Sequence, residues 1–141
     1  MRTECVFCGI VAGHVAASIV FEDDATLAFM DIEPLTEAHV IVIPKVHVET
    51  IDLLPLDVAG RLMQTVVRVA QGLRAAYDPG GITMWQSTGA AAGQDVPHVH
   101  IHLLTREPND GLLRVHSALP TLPDRGELDR CAEVIHAALP V

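Results

Sequence analysis

Three histidines alternate with aliphatic residues in the segment His98-Val99-His100-Ile101-His102-Leu103-Leu104. Successive side chains of a β-strand point to opposite faces of the sheet, so this pattern predicts a strand over Val99 to Leu104. The three imidazoles then share one face at a spacing of about 6.6 Å, and the aliphatic side chains face the core. Three interpretations are open: tolerated half-buried histidines, a zinc site, or phosphorus chemistry with one imidazole as nucleophile and a neighbour as proton donor.

The rest of the chain limits the kind of protein that can carry this strand. With 141 residues, half of them hydrophobic, we expect a single domain (1–141) whose core needs no disulfide. Three cysteines are too few for a disulfide framework, and no apolar run is long enough to predict a membrane span. The formal net charge of −9 argues against a binder of nucleic acid polymers. The N-terminal segment does not read as a signal peptide, so we expect a cytoplasmic protein with reduced thiols.

Hydrophobic periodicity predicts the other elements. Apolar residues recur at three- and four-residue steps from Leu56 to Tyr77, which predicts a long helix. Glu127 to Leu139 is a predicted C-terminal helix. Further strands are predicted over Thr26 to Asp31, His39 to Ile43 and Ile82 to Gln86. Strands at unequal spacing with two helices predict an α+β domain built on an antiparallel sheet.

The histidine segment resembles the signature of the histidine triad (HIT) family, His-φ-His-φ-His-φ-φ with φ apolar. Gly93-Gln94 stands just before it, as in that family, and Cys5-Val6-Phe7-Cys8 is similar to the start of many bacterial members. Two upstream segments resemble the family's nucleotide-pocket strands, Phe29-Met30-Asp31-Ile32 and Ala38-His39-Val40-Ile41-Val42-Ile43-Pro44-Lys45. The resemblance covers residues 5–104 and implies a HIT-like fold with a sheet of about five strands.

The resemblance implies a nucleotide hydrolase or transferase that attacks the α-phosphate, in particular a purine nucleoside phosphoramidase. His100 would be the nucleophile and form a nucleotidyl-histidine intermediate. His102 would hydrogen-bond the phosphate region and help to handle the leaving-group proton. Gln94 would contact phosphate oxygens, and Asp31 would accept from the ribose hydroxyls. The other implied contacts of the nucleotide site are Ile19, Val20, Phe29, Ile32, Ser87 and His39.

Other functions compete with this one. A dinucleoside polyphosphate hydrolase would be expected to place basic residues near its anionic leaving group, and the chain has only nine lysines and arginines. A nucleotide-binding, zinc-stabilised interaction module with little turnover is a second alternative. A metallohydrolase using all three triad histidines is a third. The resemblance also implies a homodimer that binds a nucleotide substrate.

Cys5-x-x-Cys8 has a metal-ligand spacing but needs two more ligands, for which His47 and His98 are the candidates. The resemblance implies a structural zinc ion held by this Cys2His2 set. The alternative is a pair of buried thiols and a surface His47. Cys131 has no partner motif, and we expect it in the core. We expect no site role, only surface or packing positions, for His14, His116 and His136.

Two positions depart from the family pattern. Ser87 stands where many relatives have an asparagine near the phosphate. Asp95 stands where phosphoramidase members have serine or threonine, so a carboxylate there would lie near a phosphate. Our hypothesis is that Asp95 pairs with a basic group on the leaving side of the substrate.

Overall fold

The computed structural model describes residues 5–112 and 121–140, and the chain divides into two units, Met1–Asp110 and Gly111–Val141. In the first unit, the five strands are β1 (Ile19–Glu22), β2 (Thr26–Met30), β3 (His39–Pro44), β4 (Gly81–Trp85) and β5 (Ile101–Arg106). They form one antiparallel sheet in the order β1-β2-β3-β5-β4. The predicted α+β class with an antiparallel five-stranded sheet is confirmed. β1 was not predicted, because four residues are too few to show a clear alternation.

The two faces of the sheet carry different layers. Helix α2 (Leu56–Tyr77) covers one face, and its bounds are those predicted from the periodicity. The buried residues of this layer come from α2 and from alternate strand positions: Leu62, Val66, Val69, Leu73, Ala28, Val40, Val42, Val99, Ile101 and Leu103. The short helix α1 (Val6–Val11) belongs to the opposite face, where its Phe7 packs in a cluster with Cys5, Leu27, Phe29, Ile41 and Ile43.

Strand β5 begins later than the alternation predicted. It runs from Ile101 to Arg106, so His98 and His100 lie in the extended segment just before it. The ladder between β3 and β5 stops at the pair Val42↔Ile101. Pro44 ends β3 and has no N–H for a further ladder bond, and the backbone N–H of Val99 donates instead to the carbonyl of Val48 at 2.7 Å. The predicted alternation of faces still holds, because Val99, Ile101 and Leu103 are all buried in the layer under α2.

The second unit contains helix α3 (Arg125–Ala138), close to the predicted Glu127 to Leu139. A capping box between Asp124 and Glu127 fixes its start. Cys131 is exposed on this helix, so its predicted place in the core is wrong. The physical reason is that the described part of this unit contains no second helix or strand to cover α3.

The remaining histidines without a predicted site role include His14 and His136, which are exposed as predicted. His116 lies outside the described residues. Within the described ranges, no helix combines the length and the apolar character that a membrane crossing requires.

Candidate active site

A cavity of about 280 Å³ lies on the α1 side of the sheet, beside the histidine segment. Its floor and walls are mostly apolar and include Phe7, Phe29, Ile32 and Ile41. The polar side chains in its lining are Asp31, Glu33, Asp95, His100 and His102. A larger hollow of about 380 Å³ lies against α2, and the described residues that line it include no histidine, cysteine or carboxylate. The cavity beside the histidines is therefore the one that contains the imidazole and carboxylate groups predicted from the sequence.

The register of the sheet explains why these side chains meet. Cross-strand pairs form one row over four strands: Phe29 pairs with Ile41, Ile41 with His102, and His102 with Trp85. Directly opposed residues of antiparallel strands share a face. The row therefore places an apolar floor and an imidazole side by side on the α1 face.

His100 has a defined tautomer. Its Nδ1 lies 2.7 Å from the carbonyl oxygen of His98. A carbonyl oxygen only accepts, so Nδ1 carries the proton and Nε2 of the neutral ring keeps its lone pair. The side chain is 4% exposed, and the ring of Phe7 packs edge-on against it at a centroid distance of 5.2 Å. The structure thus fixes an imidazole in a lining position with an unprotonated Nε2, as an imidazole nucleophile requires.

His39 places the proton of His102 on Nε2, the opposite ring nitrogen from that in His100. The backbone N–H of Leu35 donates to Nδ1 of His39 at 3.1 Å, so a neutral His39 carries its proton on Nε2. That Nε2 lies 2.9 Å from Nδ1 of His102 and donates to it. Neutral His102 therefore carries its own proton on Nε2 and is a hydrogen-bond donor. His39 thus determines which nitrogen of His102 carries the proton.

Asp31 stands beside this histidine pair. Its Oδ2 is 3.4 Å from Nε2 of His39 and 3.8 Å from Nδ1 of His102. Its Oδ1 accepts from the backbone N–H of Glu33 at 2.8 Å, as in a turn-capping carboxylate. Asp31, His39 and His102 also bring three possible metal-ligand atoms within 4.8 Å of one another. The short hydrogen bond between the two imidazoles already uses both of the facing nitrogens.

Trp85 is a site residue that the sequence reasoning missed. Its ring stacks on the His102 ring at a centroid distance of 4.2 Å and an interplanar angle of 4°. The Trp85 ring also contacts the His39 ring, at a centroid distance of 5.4 Å. The signal available in the sequence was a lone tryptophan at the end of a predicted strand, whose partner could be known only from the register.

Burial keeps the imidazoles of His39 and His102 neutral. Desolvation, together with the neighbouring His100 and His39, lowers the pKa of His102 from 6.5 to about 4. Burial also lowers the pKa of His39, although the Asp31 carboxylate opposes the change. The tautomers of His39 and His102 therefore persist through the neutral pH range.

Acidification is expected to destabilise the fold through His102. Between pH 6.5 and about 4 the unfolded chain binds a proton at this histidine and the folded chain does not. The free energy of unfolding therefore falls as the pH falls through this window, by up to roughly 3 kcal/mol from His102 alone. Urea unfolding of the wild type and of His102→Gln at pH 7 and pH 4.5 measures this contribution. A pH dependence that is equally steep in both proteins would contradict the assignment.

The predicted metal ligands converge. Sγ of Cys5 and Sγ of Cys8 lie 3.5 Å and 3.7 Å from Nδ1 of His98, and Sγ of Cys8 lies 3.2 Å from Nδ1 of His47. All four ligand atoms are within 4.8 Å of one another. Bonds of about 2.3 Å to sulfur and about 2.0 Å to nitrogen at tetrahedral angles put such atoms about 3.6 Å apart.

The second ring nitrogen of His98 supports the same conclusion. Nε2 lies 2.8 Å from the carbonyl oxygen of Pro44 and donates to it, which leaves the lone pair on Nδ1, the atom that faces the thiols. The donor set and its spacing thus fit a closed tetrahedral zinc site. Because the carbonyl of His98 accepts from Nδ1 of His100, the same residue connects this site to His100.

Two residues predicted to bracket a base do not line the cavity. Ile19 lies in an adjacent hollow, which shares Ile10, Val15 and Ala17 with the cavity. Val20 lies on the opposite face, in the hollow against α2. A register shift in β1 between Ile19 and Phe21 turns Val20 away from the α1 side.

The loop before His98 is held by Gln94. Its Oε1 accepts from the N–H of Gly89 at 2.7 Å, and its Nε2 donates to the carbonyls of Glu49 at 2.7 Å and Val96 at 3.0 Å. Both amide protons are therefore used by the backbone, and Gln94 is not among the cavity-lining residues. Ser87 does not line the cavity either, and its carbonyl accepts from Gln86. The phosphate contacts predicted for these two residues would need this loop to rearrange.

Comparison with known proteins agrees with the fold and the histidine motif. The HIT domain matches residues 12–109. Protein hit of Bacillus subtilis is 36% identical over 102 residues, 72% of this chain and 70% of that protein. An adenosine 5′-monophosphoramidase of Candida albicans is 32% identical over 110 residues, 75% of this chain and 72% of that protein. The crystal structure of a HIT family protein from Bacillus anthracis superimposes with a TM-score of 0.92 at 33% identity, covering 99% of this chain and 100% of that one. This chain belongs to the HIT family.

Proposed function

We propose that this protein is a purine nucleoside phosphoramidase that works through a nucleotidyl-histidine intermediate on His100. The observation that carries the proposal is that two imidazoles in the cavity lining carry their protons on opposite ring nitrogens. Nε2 of His100 has a lone pair, and Nε2 of His102 has a proton. A phosphorus centre between them would meet a nucleophile and a hydrogen-bond donor at once. The relation to a Candida albicans adenosine 5′-monophosphoramidase supports the same reaction class.

In the first step Nε2 of His100 bonds to the α-phosphorus and the phosphorus–nitrogen bond breaks. The N–H of His102 hydrogen-bonds a phosphoryl oxygen or the leaving nitrogen, and the departing nitrogen keeps the electron pair of the broken bond and takes one proton from solvent water. His100 is then a nucleotidyl-imidazolium whose Nδ1–H still donates to the carbonyl of His98. In the second step water attacks phosphorus, the bond to Nε2 breaks, and its electron pair returns to that nitrogen. The attacking water releases one proton to the solvent, which balances the proton taken up in the first step and restores neutral His100.

The apolar lining suits a nucleoside. Phe29 is buried in the floor, and Ile32 is 91% exposed beside it and free to cover a bound base. Asp31 is the lining carboxylate that we assign to the ribose, because its two oxygens can accept hydrogen bonds from both ribose hydroxyls.

We assign the Cys2His2 set to a structural zinc ion, which would hold the N-terminal segment and His98 in place. Thiolate ligands are maintained in a reducing compartment, which favours the cytoplasm.

The cavity argues against two of the alternatives. Among its described lining residues there is no lysine or arginine, the residues that a polyphosphate leaving group would require. A metallohydrolase would need the triad on one ion, but Nδ1 of His98 faces the thiols and Nδ1 of His100 faces a carbonyl.

We also propose a homodimer, because α2 exposes Met63, Val67 and Tyr77 and the edge strand β4 exposes Met84.

The test is AMP release from adenosine 5′-phosphoramidate together with the stereochemistry at phosphorus. Two in-line displacements through His100 retain the configuration of a substrate made chiral at phosphorus, whereas direct attack by water inverts it. Release of AMP with retention is the expected result. Inversion would overturn the intermediate, and no release by the folded, zinc-loaded protein would overturn the phosphoramidase assignment.

A further inference from the structure

The polar part of the cavity lining is acidic. Three carboxylates, from Asp31, Glu33 and Asp95, line it together with two histidines, and no lysine or arginine is among its described lining residues. The phosphate group of any nucleotide substrate already carries negative charge. The lining therefore opposes additional negative charge near the reacting phosphorus.

Asp95 is placed closest to the chemistry. Its Oδ1 lies 3.8 Å from Nε2 of His100, and its side chain is 84% exposed at the cavity. The backbone N–H of Val96 donates to the same oxygen at 2.9 Å and restrains the carboxylate. A phosphorus atom in attack geometry lies about 3–3.5 Å from the nucleophile, so the carboxylate lies at most about 7 Å from it.

The other two carboxylates are less suited to sense the leaving group. Asp31 accepts from the backbone of Glu33 and lies against His39 and His102, on the side that we assign to the ribose. Glu33 lies two residues after Asp31 and is exposed. Asp95 belongs to the loop before His98, five residues before the nucleophile along the chain. The charge beside His100 is thus supplied by a residue that the proposed reaction itself does not use.

We propose that Asp95 selects substrates by the charge of the leaving group. It favours leaving amines that carry a cationic group besides the reacting nitrogen, and it rejects leaving amines that carry an anionic group. This inference rests on the proposed function and names the substrate class of the same site. At a separation of about 6 Å and an effective dielectric constant of about 40, between the values for a protein surface and for bulk water, Coulomb's law predicts about a tenfold change in kcat/KM for each unit of leaving-group charge. The effect arises without any change in the nucleophile, because it acts on the substrate.

The experiment uses three adenosine 5′-phosphoramidates of similar size. Their leaving amines are ethylenediamine, which keeps a cation, 2-methoxyethylamine, which is neutral, and β-alanine, which is anionic. AMP release gives kcat/KM for each substrate with the wild type, Asp95→Asn and Asp95→Lys. The wild type is expected to prefer the cationic over the anionic substrate by about a hundredfold. Asp95→Asn should reduce this ratio at least about tenfold, and Asp95→Lys should reverse it.

Asp57→Asn is the matched control, since it removes one negative charge from the exposed start of α2, outside the cavity lining. It should keep the wild-type ratio. An Asp95→Asn protein that changes all three rates by the same factor would show that Asp95 acts on His100 and would overturn the inference, as would a wild type without charge preference. If no substrate yields AMP, the proposed function fails, and this result is distinct from both.

Discussion

Replacing His100 by alanine is expected to lower kcat/KM for AMP release from adenosine 5′-phosphoramidate by at least about a thousandfold. The variant loses the only nitrogen in the lining that combines a fixed position with an unprotonated lone pair, among the residues that the structure describes. Direct attack by water would then have to replace a two-step route. Chromatographic measurement of AMP under single-turnover conditions checks the chemical step itself.

The fold of this variant can be checked independently of its activity. His100 is not one of the four clustered metal-ligand residues, so the variant should retain the zinc content of the wild type. His14→Ala is the matched control, because His14 is exposed and does not line the cavity. Its rate should equal that of the wild type. A folded His100→Ala protein within about tenfold of the wild-type rate would exclude His100 as the nucleophile.

Replacing Cys8 by serine is expected to release zinc and to lower the melting temperature by at least about 10 °C. Cys8 contacts both candidate histidine ligands, so its loss opens the tetrahedral set. Structural zinc contributes folding free energy, and a loss of about 3 kcal/mol corresponds to about 10 °C for a chain of this length. Metal analysis of the purified protein and a thermal scan measure the two effects.

Replacing Cys8 by serine should also affect the position of His100 and lower the reaction rate. His98 links the metal cluster to His100 through its carbonyl, so a displaced His98 weakens the hydrogen bond that fixes the His100 tautomer. We therefore expect a reduced rate even at temperatures where the variant remains folded. Cys131→Ser is the matched control, since Cys131 is an exposed cysteine outside the cluster. Equal zinc content and equal stability in Cys8→Ser and the wild type would refute the metal site.

Much of the fold could be predicted because its signals are local. The 3.6-residue periodicity of Leu56 to Tyr77 gave the bounds of α2, because one face of this helix must be apolar to pack on the sheet. The alternation at His98 to Leu104 gave the faces of the triad segment. The strand itself began two residues later than predicted, because its ladder depends on where Pro44 ends the partner strand.

The full set of candidate metal ligands was predictable only through resemblance. Cys5 and Cys8 lie 93 and 90 residues from His98 along the chain, and Cys8 lies 39 residues from His47. Spacing alone identified the two cysteines but left their partners open. The structure brings the four predicted side chains together with a geometry that fits zinc.

The sequence by itself determined which residue types are available and on which side of each element they lie, because helix and strand geometry are properties of neighbouring residues. Only the tertiary structure decided the proton positions of His100 and His102, the stacking of Trp85, and the exclusion of Ile19 and Val20 from the cavity. The proton position of His102, the stacking of Trp85 and the exclusion of the two β1 residues each depend on a distant part of the chain: the amide of Leu35 acting through His39, the register of β4 against β5, and the bulge in β1. The proton position of His100 depends on the path of the backbone, which turns the carbonyl of His98 toward its Nδ1. Imidazole chemistry depends on which nitrogen holds the proton, and that is set by hydrogen bonds formed only when the chain has folded.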